Sequence, residues 1–206
     1  RDEETRYYYL EARLALNQLD GIESIFDTIK AEPDQYFLKA LFYLFQGNRG
    51  MCLSTLESIL GFENQNLTSS RALGLYQVLL QTEQDAFLNI LAHFHRLLLK
   101  RNYTQLMSQL DQFVQIPSQT IAKYIQLELI RIFENQKHYH ALEELLLYIT
   151  HHGDAFMHQQ AYFHLGKLYI EELNQPADGK RYLMDLLRQY PDSLFGTRAR
   201  ALLSTL

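Results

Sequence analysis

Eight histidines, a single cysteine and a few adjacent carboxylates are the side chains of this sequence with the most chemistry to offer. Imidazoles and thiolates hold transition metals when three or four converge on one point. His93 and His95 are two residues apart, which sends them to different faces of a helix. His138 and His140 flank a turn, His151 and His152 close a helix, and His158 and His164 follow on the next one. A site using both the first and the second pair would need the ends of one helix to meet across about 18 Å. No metal is expected, and His151 and His152 suit the negative end of a helix dipole instead. Cys52 has no second cysteine for a disulfide or a Cys-based zinc site, and it falls at a packing position with no base in view. It reads as a buried thiol. Glu143 with Glu144, and Glu171 with Glu172, sit in amphipathic stretches and read as solvated faces, not as an acid–base pair. Neither a glycine-rich phosphate loop, nor G-x-S-x-G, nor H-E-x-x-H occurs. The expectation is a protein that is not an enzyme and that needs no cofactor.

The 206 residues that position these groups are 47% hydrophobic and 21% charged, enough apolar material for a buried core. A net charge of −5 argues against a general nucleic-acid binder. Lys100-Arg101 and Arg198-Ala199-Arg200 are short basic spots, and most of the 14 tyrosines recur at packing seams. Apolar runs such as Ala40 to Phe45 fall far short of the roughly 18 residues a membrane span requires, so direct membrane insertion is not expected.

Valine occurs only at Val78 and Val114, leucine is abundant, and the alternating β-branched runs of strands are missing. Pro33, Pro117, Pro176 and Pro191 all lie between periodic apolar segments. The pattern predicts an all-α protein of about twelve helices, over 2–17, 21–31, 34–46, 49–60, 68–81, 84–100, 103–115, 118–135, 138–151, 154–173, 177–189 and 192–204. Short connections predict antiparallel hairpins.

The hairpins repeat. Tyr162, Leu165, Gly166 and Tyr169, then Gly179, Leu183, Leu186 and Pro191, keep the spacing of a tetratricopeptide repeat with one residue inserted in the turn. Tyr36, Ala40, Tyr43, Gly47, Cys52, Leu56 and Ile59 form an earlier unit, with Cys52 at the small-residue position. Weaker units run through Ile90, Leu97, Tyr103 and Leu110, through Ile125, Leu129, Ile132 and Leu145, and through Tyr8, Ala12, Ala15 and Ile25. The chain resembles the tetratricopeptide-repeat family over most of its length. That resemblance implies a right-handed superhelix of antiparallel helix pairs, one solenoid domain over 1–206, acting as a protein-binding scaffold. From Tyr43 to Leu97 the gap is 54 residues, one repeat plus about one helix, so an out-of-phase helix is expected near 62–86, with a soft joint at 61–68. The apolar, helical last residues read as a solenoid that continues in a longer chain. Tyr190-Pro191-Asp192-Ser193 is similar to a variant found in bacterial cell-envelope proteins, which tilts localisation towards the periplasm or envelope, with the cytoplasm as the other option. Asn66 and Asn102 stand in N-x-[ST] context.

In that family the first helix of each pair lines a concave groove. Carrying the register over places Phe37, Leu41 and Leu44 in the groove, then Leu91 and His95, Gln126, Ile130 and Phe133, and Phe163, Lys167 and Ile170. Apolar anchors with a few polar donors suit a partner's amphipathic helix or extended peptide, and about half of these side chains are expected to be accessible. The family's carboxylate clamp is not expected: Arg13-x-x-x-Asn17 resembles one of its helices, but no Lys-x-x-x-Arg follows in a third unit. The leading expectation is a non-enzymatic interaction scaffold, in an envelope or motility assembly, whose protein partner the residues do not identify. The alternative is a self-assembly or spacing module within a larger multidomain protein.

Overall fold

The structure, a computed structural model, describes residues 2–28, 30, 32–62, 66–82, 84–114, 116 and 118–206. Among them the chain is all-helical, with thirteen helices and no strand. It divides into two compact units, Arg1–Ile125 and Gln126–Leu206, and the boundary falls inside a helix. The joint expected at 61–68 lies within the first unit, and residues 63–65 are outside the described part.

The first unit holds α1 (Asp2–Ala15), α2 (Glu23–Phe26), α3 (Pro33–Phe45), α4 (Arg49–Leu60), α5 (Leu67–Gln81), α6 (Asp85–Leu99), α7 (Tyr103–Ser108), α8 (Leu110–Val114) and the start of α9 (Gln119–Asn135). Its centre is α3, which packs against α1, α4, α5 and α6 and buries nine of its thirteen residues. Pro33 opens α3 at its first turn, where a missing N–H costs nothing, and Asn48 caps α4 by accepting from the Met51 amide at 3.1 Å. Asn66 and Ser69 form a reciprocal capping box at the start of α5. Cys52, Leu56 and Ile59 are fully buried on α4, as the small-then-large packing pattern requires.

The segment 62–86, where an out-of-phase helix is expected, holds α5, which packs on α4 and α3. α6 leaves chain order to lie on α1 and α3, so the first unit is more than a string of neighbouring pairs. The segment read as one helix over 21–31 is a single turn, and Ile29 and Ala31 lie outside the described residues. The segment 103–115 is two helices, because the Gln109 amide is shared among the carbonyls of Gln105, Leu106 and Met107 and the ladder breaks there. Pro117 and Gln115 are outside the described residues.

The second unit holds the end of α9, then α10 (Tyr139–His152), α11 (Ala155–Glu171), α12 (Pro176–Gln189) and α13 (Gly196–Leu203). α11 packs on α10 and most closely on α12. Gly166 and Gly179 make that approach possible: a Cβ on Gly179 would stand 2.7 Å from the Gly166 carbonyl oxygen. α13 starts four residues later than expected, because Ser193 holds a turn whose Oγ accepts from the Phe195 amide at 3.2 Å.

Among the described residues, five helices end in the same way. Asn17, Gly47, Arg101, Lys137 and Asn174 follow α1, α3, α6, α9 and α11 with φ between 52° and 73°. After each, an amide reaches back to the last turn, as Asn48 does to Tyr43 and His138 to Phe133. This is the left-handed closure that satisfies the orphan carbonyls of a helix end. Glycine supplies it without strain only at Gly47, and asparagine tolerates it at Asn17 and Asn174.

Candidate functional site

The eleven side chains read as a groove do not form an open one. Phe37, Leu41 and Leu44 are 3%, 1% and 1% exposed, Leu91 and His95 are fully buried, and Gln126, Ile130, Phe133 and Phe163 are also buried. Only Lys167 and Ile170 are partly exposed. The burial of these side chains has a physical cause. In the first unit α6 covers the face of α3 that the register assigns to a ligand: the His95 ring meets Phe37 edge-on at 6.1 Å, and the Arg96 guanidinium lies 5.0 Å from the Phe45 ring. In the second unit Phe163 turns into a core with Leu183, Leu186 and Ala199 and stacks on Phe195 at 5.1 Å.

His95 belongs to an aromatic cluster with Phe37, Phe94 and Tyr124. Its Nε2 is 2.9 Å from the Tyr124 hydroxyl, while Nδ1 has no hydrogen-bond partner among the described residues. Burial, and then the charge of Arg71, holds its pKa well below the ordinary 6.5, so the ring is neutral. His151 and His152 each place Nδ1 against the carbonyl four residues back, at 2.7 and 3.0 Å, which is helix-end capping. Burial pushes the Cys52 thiol up to about 12, so it stays protonated and packs. Among the described residues, no three His, Cys, Asp or Glu side chains gather as metal ligands.

Lys167 lines a cleft of about 280 Å³ in the second unit. Glu134 and Asn135 reach it from the end of α9, Tyr139 and Leu142 from α10, and Leu168 and Glu172 from α11 and its cap. The left-handed closure at Lys137 ends α9 and leads the chain into α10, and Glu134 before it and Tyr139 after it both line the cleft. Glu134 accepts from His164 Nδ1 at 2.7 Å. Burial raises the Glu134 pKa, but the His164 hydrogen bond and the charges of His164 and Lys167 outweigh it, and the net shift is downward. Tyr139 hydrogen-bonds Glu172, which holds its phenol protonated. Lys167 itself makes no ion pair among the described residues.

The result is a small polar cleft with two carboxylates, a phenol, an amide and a partly exposed cation whose charge acts on Glu134. Of the lining residues, Lys167 alone follows from the groove register. Glu134, Asn135, Tyr139 and Glu172 escaped it because they lie on three helices and join only through the turn after α9. No protein-family model matches the chain, and comparison with curated proteins and with solved structures gives no match.

Proposed function

We propose that this protein is a helical-repeat scaffold of tetratricopeptide-like hairpins that docks a partner protein, with the Lys167 cleft as a contact point. The observation that carries it is the recurrent left-handed closure at Asn17, Gly47, Arg101, Lys137 and Asn174. One turn chemistry used five times is compatible with a repeated hairpin unit, although such closures are common at helix ends generally. The interval between Gly47 and Arg101 equals that between Tyr43 and Leu97, which supports one repeat plus one extra helix between these units. Repeat arrays ordinarily present surfaces to other proteins, and Lys167 offers a cation that would fix the register of a peptide acceptor.

The test is a cross-linked capture from the source organism with the parent chain and with Lys167→Glu, after matched helicity and melting are established. A partner held by the parent and lost by the variant supports docking at this cleft. Equal capture by both removes Lys167 from the interface. A second reading, self-assembly, is favoured by Leu73 and Leu80, which are 43% and 55% exposed on one side of α5. Sedimentation that depends on concentration in the parent and not in Leu73→Lys with Leu80→Lys would establish it.

A further inference from the structure

The first unit carries a second cleft, of about 330 Å³, at the start of α1 and α3. Glu3, Glu4, Glu32 and Asp34 line it together with Tyr7, Tyr8 and Gln35. Acidic residues suit helix N-termini, and two such ends meet here, each worth about half a positive charge. That is too little to neutralise the site. Lys30 pairs with Glu3 at 3.7 Å and the Arg71 charge reaches Tyr7, but Glu11 adds a further carboxylate acting on the same phenol. Burial first, then Glu11 and Asp34, push the Tyr7 pKa up to about 12. Asp34 accepts from the Thr68 hydroxyl, while the Glu4 and Glu32 carboxylates have no side-chain partner among the described residues.

An independent feature also asks for a donor. Gln35, in the cleft wall, is 8% exposed, and its Oε1 is buried with no hydrogen-bond partner among the described residues. A buried acceptor left without a donor is uncommon in a folded protein. Beside it the Tyr8 ring is 53% exposed and meets Tyr7 edge-on at 5.8 Å, presenting an aromatic surface to a cation.

We infer that this cleft binds the arginine side chain of a basic segment on a partner protein. The carboxylates do not gather as metal ligands, so a compact ion is disfavoured and an extended cation with several donors fits. A guanidinium is planar, carries five donors in a fork that matches carboxylates, and stacks on aromatic rings, whereas an ammonium is a point charge. Entering between Glu4 and Glu32, it brings donors to the wall that holds Gln35. This site lies in the other unit from Lys167 and does not rest on docking there.

The experiment titrates the full chain with a fluorescein-labelled hexapeptide containing two adjacent arginines, beside its lysine and glutamate counterparts. Anisotropy and backbone amide shifts are the readouts. The expected result is binding that weakens with salt, prefers arginine to lysine, and shifts amides at Glu3–Tyr8 and Glu32–Gln35. Glu4→Gln with Glu32→Gln should weaken it about tenfold or more, while Asp192→Asn, at an exposed position in neither cleft, leaves it unchanged. Should the double variant lose helicity, the location of the shifts in the parent decides. Absence of binding, shifts elsewhere, or equal affinity for the lysine peptide would overturn the inference. So would calcium chloride producing the same shifts in competition with the peptide, which would make this a metal site.

Discussion

The Tyr43 hydroxyl donates to the Glu23 carboxylate at 3.2 Å, tying α3 to the helix that precedes it. Tyr169 repeats the arrangement in the second unit by donating to Glu143 on α10, and its ring stacks on Tyr182 at 5.6 Å. Both phenols are pushed upward, first by burial and then by the carboxylate that accepts from them. Tyr43→Phe and Tyr169→Phe should each lower stability by about 1–2 kcal/mol. Double-mutant cycles with Glu23→Gln and Glu143→Gln in urea would measure the coupling; zero coupling in both would mean that the tyrosines act by packing alone.

His95 predicts how the first unit responds to acid. Its folded pKa lies well below 6.5 while the unfolded chain takes up a proton near that value, so the unfolded state binds more protons as pH falls. Stability should be flat above about 6.5 and fall below it by up to about 1.4 kcal/mol per pH unit for this one group. His95→Phe keeps the aromatic contacts with Phe37 and Phe94 and should flatten that slope. Urea midpoints for parent and variant across the range check it.

Glu134 works in a lower window. Its depressed pKa contributes stability that is complete above the ordinary 4.5 and lost as pH falls through the folded value. Glu134→Gln should therefore be less stable than the parent near neutrality, and the gap should close in acid. A gap that stays constant with pH would mean that the His164 contact contributes by shape and not by charge.

Gly179→Ala tests the close approach of α11 and α12. The added methyl meets Ile170 and the Gly166 carbonyl, so helix propensity, which favours alanine, loses to overlap. A loss of about 1–3 kcal/mol is expected. Thermal melts that show a rise instead would mean that the helices separate at little cost.

Cys52 should resist thiol reagents in the native state, because it is fully buried and its pKa is pushed up to about 12. Labelling should track opening of the α3–α4 hairpin, accelerating with urea in step with the loss of helicity. Prompt labelling in water would place the thiol at the surface.

Much of the helical content was legible in the residues because it depends on local terms. The scarcity of valine, the proline at the first turn of α3 and of α12, and the asparagine caps before α4, α5 and α7 act within one turn of the chain. Gly166 and Gly179 also announced their contact, since a helix pair joined by a short turn has little choice of partner. The 54-residue gap between Tyr43 and Leu97 raised the expectation of an out-of-phase helix near 62–86. It did not show which helices would pack on which.

That was decided by tertiary packing. Apolar residues on α3 have the same period whether they face a ligand or a sixth helix, so Phe37, Leu41 and Leu44 looked like an open groove until α6 was seen to cover them. Both clefts depend in the same way on distant segments, Glu134 with Lys167 in one and Glu4 with Glu32 in the other. Local sequence determines which helices form and where they turn, because capping and propensity are short-range. Which faces remain open is determined only when every helix competes for the same apolar surface.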